Sequence, residues 1–159
     1  MVAMSLSPPR LGFLIDDLEG RGGTELHLLT LLGGLHRAGF ATELVILGRA
    51  GLAHLFEREG TRVHRWLVRR VITPGYPLLV ARLAGLLRRR RFDLLETIHV
   101  AADLLGPPAA QAAGIPCVSS RRDLGIFRSP RHLLLSRLVR RFVTAFLAPS
   151  EAVRDFACR

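Results

Sequence analysis

Three short clusters in this chain hold residue types that could do chemistry. The first is Gly20-Arg21-Gly22-Gly23, which follows the apolar run Leu11–Ile15 and precedes a leucine-rich run opening at Thr24. Glycines let the main chain take positive φ and let a ligand come close to it. Strand, glycine loop, helix in that order puts the loop at a helix N-terminus, whose N–H groups and dipole attract phosphate. The stretch would serve equally as a tight βα turn with no ligand. The second is His99, at the exit of the run Phe92–His99. Its imidazole suits proton transfer or hydrogen bonding near neutral pH, and an ordinary loop histidine is the competing reading. The third is Arg121-Arg122-Asp123, after Ile115–Ser120, which either lines a site or forms a salt-bridged turn. His27, His36, His54, His64 and His132 have no partner at ligand spacing, and there is no metal motif.

The elements that would position these clusters alternate in type. Strands are expected at Leu11–Ile15, Glu43–Leu47, Arg62–Val68, Phe92–His99, Ile115–Ser120 and Ala145–Ala148. Between them, Leu28, Leu31, Leu32 and Leu35 fall at i, i+3, i+4 and i+7, one face of a helix that Thr24 would cap and Gly39 would close. Leu52–Glu59 and Leu78–Arg91 read as helices. The second ends in four arginines, read as a solvated helix terminus that complements the dipole. Ala101–Ala113 is helical, with Pro107 and Pro108 expected to kink it or to split off a second piece. Ser129 and Pro130 look like N-cap and first residue of a helix carrying Leu135, Leu138, Val139 and Phe142 on one face. Pro149-Ser150-Glu151 opens another. Such alternation predicts an α/β domain: a Rossmann-like, three-layer fold with a mostly parallel sheet of five to seven strands. Ligands of such folds bind at the carboxyl ends of strands, where all three clusters lie.

Composition narrows the classes. The 159 residues, 49% hydrophobic, are enough for one domain with a sizeable core. Residues 1–10 read as a loose leader without the features of a signal peptide, and 11–159 as the domain. No apolar run reaches the roughly 18 residues of a membrane span. The two cysteines form no disulfide framework, which suits a reducing cytoplasm. All 23 basic residues are arginine, and the net charge of +10 should attract anionic lipid, nucleic acid or nucleotide. The arginines are spread over most elements, so a specific nucleic-acid interface is not expected; a non-enzymatic basic module or an inactive relic remains the alternative class. A nicotinamide fingerprint is disfavoured. Glu25 stands where the third glycine belongs, and no acid follows Leu47.

The order of signals resembles the N-terminal domain of family 4 glycosyltransferases, the retaining enzymes of GT-B fold. The carrying motifs are Gly22-Gly23-Thr24-Glu25, Phe92-Asp93-Leu94-Leu95 leading to His99, and Ala112-Ala113-Gly114-Ile115-Pro116-Cys117-Val118. Ser119 to Gly125 and Pro149-Ser150-Glu151-Ala152-Val153-Arg154 complete the set, over about residues 11 to 157. The resemblance implies one half of a GT-B fold, the acceptor side, with the C-terminal donor-binding domain absent from this sequence and the chain inactive alone. It implies a nucleotide-sugar donor (UDP- or GDP-linked) with no other cofactor. The acceptor would be a glycan or lipid-linked, a separate C-terminal half could be a partner, and the chain would be cytoplasmic, peripheral to the inner face of the membrane. Gly22 and Gly23 would neighbour the donor's phosphates, His99 would be the catalytic-site histidine, and Arg121, Arg122 and Asp123 would line the cleft. In the family's pattern the histidine stands one position earlier, at Ile98 here. Since side chains alternate along a strand, that offset decides the face it takes.

Overall fold

A computed structural model describes residues 8–20, 22–121, 130–151 and 153. Six strands, all parallel, form one sheet in the order β3-β2-β1-β4-β5-β6: β1 Arg10–Ile15, β2 Ala41–Ile46, β3 Arg62–Arg65, β4 Leu94–Ile98, β5 Cys117–Ser120 and β6 Ala145–Leu147. The helices are α1 Gly23–Arg37, α2 Ala53–Arg58, α3 Tyr76–Arg90, α4 Val100–Ala113 and α5 Pro130–Val139, the last followed by a 3-10 turn at Arg140–Phe142. The Rossmann-like α/β expectation holds. Arg10 already belongs to β1, paired with Ala41. The third strand stops short of Val68 as a ladder, although Trp66 and Val68 still donate N–H bonds to Ile46 and Leu47 at 2.8 and 2.7 Å.

The period of two along each strand divides the core. Phe13, Ile15, Leu44, Ile46 and Ile98 turn to one face and pack with Leu28 and Leu32 of α1 and Phe56 of α2. Leu14, Val45 and Leu95 turn to the other, against Leu83 and Leu87 of α3 and Leu105 and Ala109 of α4. Right-handed crossovers explain the split. Moving from β1 out to β3 puts α1 and α2 on one face, and returning to β4 and moving the other way puts α3 and α4 on the opposite one. The reversal leaves a crevice between β1 and β4 at their carboxyl ends.

Helix α4 corrects one expectation. It runs unbroken through Pro107 and Pro108, so no second helical piece exists. A proline at 108 has no N–H for the carbonyl of Leu104, four residues back. That carbonyl instead accepts the Tyr76 hydroxyl at 2.7 Å, which ties the start of α3 to α4. The helix also lies directly on the sheet: a Cβ on Gly106 would run into the methyl of Thr97. Two further corrections concern helix ends. Gly22, not Thr24, is the N-cap of α1. The arginines closing α3 are not uniformly solvated, because Arg88 donates to the Ala112 carbonyl and Arg90 reaches a buried glutamate.

That glutamate, Glu43, is 2% exposed and sits near the amino end of β2. Arg10 Nη1 donates to it at 2.6 Å, Arg90 Nη2 at 2.6 Å, and His64 Nε2 lies 2.7 Å away. Burial works to raise its pKa, but bonds from Arg90, His64 and Arg10 outweigh burial and hold it down at about 2. A carboxylate whose folded pKa is depressed contributes stability above its unfolded pKa, and the contribution disappears as pH falls through the folded value. Urea unfolding should therefore weaken between the ordinary glutamate range and about pH 2 in the wild type, with that part of the loss absent in Glu43→Gln. Gly106→Ala should be destabilised by about 1–3 kcal/mol despite alanine's better helix propensity, because Thr97 cannot turn its methyl away without breaking its own buried hydrogen bond. A neutral Gly106→Ala would show that α4 can lift off the sheet at no cost.

Candidate active site

Asp16 leaves β1 at the crevice, and its carboxylate accepts the backbone N–H groups of Ala101 at 2.9 Å and Ala102 at 2.7 Å. These are two of the donors that a helix N-terminus leaves without partners. Helix α4 has no side-chain cap of its own, so an acid from a neighbouring strand supplies one. Burial raises the Asp16 pKa above its ordinary value, against the two backbone bonds and the attraction of His99.

His99 is the N-cap residue of α4, with φ 76° and ψ 177°. That combination is nearly reserved for glycine and costs a side-chain-bearing residue about 1–3 kcal/mol. Ile98 before it is fully buried in the core. The one-residue offset therefore does not turn the histidine to the other face of the strand. It carries His99 beyond the strand, half-buried at the mouth of the crevice and beside Asp16.

Gly22 and Gly23 also lie at this edge, at the exposed start of α1. Neither uses positive φ; Gly39, Gly60 and Gly114 do. A Cβ on Gly23 would meet nothing within 4 Å, so open space lies over the first turn. Over Gly22 the Glu25 carboxylate folds back, within 2.6 Å of where a Cβ would stand. The N–H groups of the first turn thus face solvent beside one acid, and an anion bound there would displace it.

Arg121 follows β5, next to β4, but its guanidinium turns inward. Nη1 lies 3.2 Å from Asp103 Oδ2, with the two side chains 12% and 3% exposed. Asp103, in the first turn of α4, also accepts Thr97 Oγ1 and Ser119 Oγ at 2.7 Å each. Arg121 accordingly braces β5 against α4. Arg122 and Asp123 lie outside the described residues, as does Ser129.

The sequence reading did not single out the groups that line the cleft beside Asp16. A cavity of about 300 Å3 is bounded by Asp16, Asp17, Gly48, Arg49, Arg69 and Ala101. Asp17 accepts the Arg49 N–H at 2.7 Å, and Glu19 pairs with the Arg49 guanidinium at 2.7 Å. Arg69 has no ion pair among the described residues. The available signal was the pair of acids directly behind the first strand; the arginines were hidden among 23. A similar cavity, about 320 Å3, opens at the amino edge around Arg10, Glu43, Arg62 and Arg90. It is at the wrong end of the sheet for a site of this fold, and Glu43 occupies two of its arginines. Among the described residues no group of three or more His, Cys, Asp or Glu is placed to hold a metal ion. Cys117 is buried and its thiol pushed up to about 12, first by burial and then by Asp103, so it is no nucleophile.

The profile of Glycosyltransferase Family 4 matches residues 21–159. No curated protein matches the chain in sequence. Among solved structures, Anabaena HepE in complex with UDP and glucose is similar with a TM-score of 0.74 at 21% identity, over 93% of this chain and 40% of that one. The lipopolysaccharide outer core galactosyltransferase WaaB is similar at 0.71 and 13%, over 94% and 42%. The UDP-GlcNAc 2-epimerase of Methanocaldococcus jannaschii is similar at 0.65 and 14%, over 94% and 42%. At these identities the likeness is one of fold, and the chain spans about two fifths of each of those chains.

If the His99 backbone is strained, relief should be selective. His99→Gly should leave stability unchanged or raise it by about 1 kcal/mol, while the β-branched His99→Val should cost about 1–3 kcal/mol. Equal losses in both variants, by chemical denaturation, would mean that the imidazole's contacts rather than the backbone set the stability at this position.

Proposed function

The chain belongs to glycosyltransferase family 4, and on that premise we propose that it is the acceptor-side half of a retaining hexosyltransferase. The donor is a UDP- or GDP-linked sugar and the acceptor a glycan or a lipid-linked sugar. The observation that carries the reading is the carboxyl edge of the sheet, on which the strained His99, the Asp16 brace at the β1–β4 switch point and the open start of α1 all lie. In transfer, the bond from the sugar's anomeric carbon to the diphosphate oxygen breaks, and a bond to an acceptor hydroxyl oxygen forms. The diphosphate leaves with the electron pair, and the hydroxyl proton must be taken up. Gly22 and Gly23 offer backbone N–H groups to the leaving diphosphate, and His99 holds or accepts a proton at the sugar. The cleft between Asp16, Arg49 and Arg69 takes the acceptor. The UDP bound by HepE supports a uridine-type donor. Arg121 acts from behind, keeping β5 in place through Asp103, and Arg122 and Asp123 are assigned to the acceptor by the family resemblance alone. We place the enzyme at the cytoplasmic side of a membrane, held there peripherally by its arginine-rich surface. No described helix is long and apolar enough to cross one.

The greater part of the donor's binding belongs to a second domain of the GT-B fold or to a separate C-terminal half. Backbone contacts at an open, wet surface contribute only about 0.5–1.5 kcal/mol each. By itself this chain should bind a free nucleotide sugar at about 1 mM or weaker and transfer none. Calorimetry and a product assay with a panel of UDP- and GDP-sugars test this. Micromolar affinity, or turnover by the isolated chain, would overturn the half-enzyme reading. Sedimentation with liposomes tests the membrane placement: the chain should pellet with anionic vesicles at low salt, not with neutral ones, and should be released as salt shortens the Debye length below about 8 Å.

A further inference from the structure

A second cavity, of about 350 Å3, lies between the loop before α3, helix α4 and helix α5. It is within the roughly 300–1,000 Å3 range of small-ligand sites. Its walls are Ile72, Pro74, Tyr76, Leu104, Leu135 and Val139. The Tyr76 hydroxyl is already donated to the Leu104 carbonyl, which leaves the Thr73 hydroxyl as the one side-chain polar group among the described residues of the wall. A sugar would find almost nothing there to replace its water.

This cavity adjoins the acceptor cleft by two routes. On α4, Ala101 lines the cleft and Leu104 lines the cavity, about one turn or 4.5 Å further along the helix. On the preceding loop, Arg69 lines the cleft and Ile72 the cavity, at most about 10 Å apart along the chain. Between them stand Arg69 and Arg70, exposed and without an ion pair among the described residues. Leu67, on the wall of the cleft, is 91% exposed, so apolar surface continues on that side. Arg69 thus belongs to the polar crevice, Arg70 follows it, and the wall of the apolar cavity begins two residues later at Ile72.

We propose that the acceptor is a lipid-linked phosphate: its hydrocarbon chain occupies the apolar cavity, its phosphate meets Arg69 and Arg70, and its sugar end reaches the crevice beside His99. The inference rests on the glycosyltransferase reading and deepens it. Guanidinium forks match phosphate oxygens, and a methylene chain asks nothing of the walls but apolar area. The pocket is preformed, because the freed carbonyl at Leu104 pins Tyr76 across it.

The protein contains one tryptophan, Trp66, buried in the same core as Tyr76 and under the Arg82 guanidinium at 4.2 Å, and its fluorescence reports occupancy. The chain is titrated with hexyl, octyl and decyl phosphate below their micelle thresholds, with decanol, with inorganic phosphate, and with neutral and anionic vesicles. Affinity should rise about fourfold for each added methylene until the cavity is full. Arg69→Glu with Arg70→Glu should weaken decyl phosphate roughly tenfold or more and leave decanol unchanged. Ile72→Glu, at an exposed position, should weaken every alkyl ligand, with its melting midpoint as the check that it folds. Thr73→Phe, which fills the mouth from the rim without adding a second tryptophan, is the second variant should Ile72→Glu not fold. Affinity that ignores chain length, a response to anionic vesicles alone, or silence to every alkyl phosphate because a protein segment covers the cavity would each overturn the proposal. In the complete enzyme, transfer to soluble glycans but never to lipid-linked ones would overturn it and leave the glycosyltransferase reading standing. Absence of transfer to any acceptor would instead remove that reading.

Discussion

Two carboxylates fix the start of α4, and the rest of the carboxyl edge takes its geometry from them. Asp16 reaches over from β1 and receives two backbone N–H groups; Asp103 reaches down from the helix and receives hydroxyls from β4 and β5 and the guanidinium of Arg121. Taking a carboxylate out of water costs several kcal/mol, and only close, well-aligned donors offset it. Asp16 of the β1 exit is met by α4, and Asp103 of α4 is met from β4, β5 and Arg121, so the cost is tolerable only with β1, β4, β5 and α4 all in register. Such a network favours one arrangement of the switch point over its near neighbours. It also explains how His99 can hold a backbone conformation that most residues avoid: the chain on both sides of it is tied down.

The two edges of the sheet have different tasks. At the amino edge the charges are satisfied within the molecule, since Glu43 sits among Arg10, Arg90 and His64 and its low pKa records how fully it is paired. At the carboxyl edge the backbone groups starting α1 face open space, and Arg69 stands at the cleft with no ion pair among the described residues, while Arg49 is held by Glu19. An edge that closes its own electrostatics contributes stability; one that leaves donors and cations open is set up for an anionic ligand. The prolines of α4 belong to the same division. Pro108 has no N–H for the Leu104 carbonyl, and that carbonyl holds Tyr76 at the wall of a cavity next to the cleft.

The sequence alone determined the alternation of elements. Apolar runs such as Leu11–Ile15 fit strands buried on both faces, and the leucines at 28, 31, 32 and 35 share one face if they are helical. From that alternation the parallel sheet, its carboxyl edge and the positions of Gly22, His99 and Arg121 along that edge follow by general rules of handedness and connection. These are properties of short stretches and of chain order, which a single sequence carries in full.

What only the tertiary structure decided is which side chains meet. Arg121 pairs inward with Asp103, eighteen residues earlier in the chain, whereas its spacing from Arg122 and Asp123 had suggested a local turn or a cleft wall. Pro107 and Pro108 do not break their helix; a hydroxyl from Tyr76 replaces the donor that Pro108 lacks, and no local propensity contains that bond. Asp16 was one acid among several in a loop until β1 and β4 became neighbours and brought the start of α4 within reach of it. The physical reason is common to all three. A residue's propensity and pattern are set by its own backbone, but a hydrogen bond or an ion pair needs a second group delivered by a distant part of the chain, and only the folded topology fixes which one arrives.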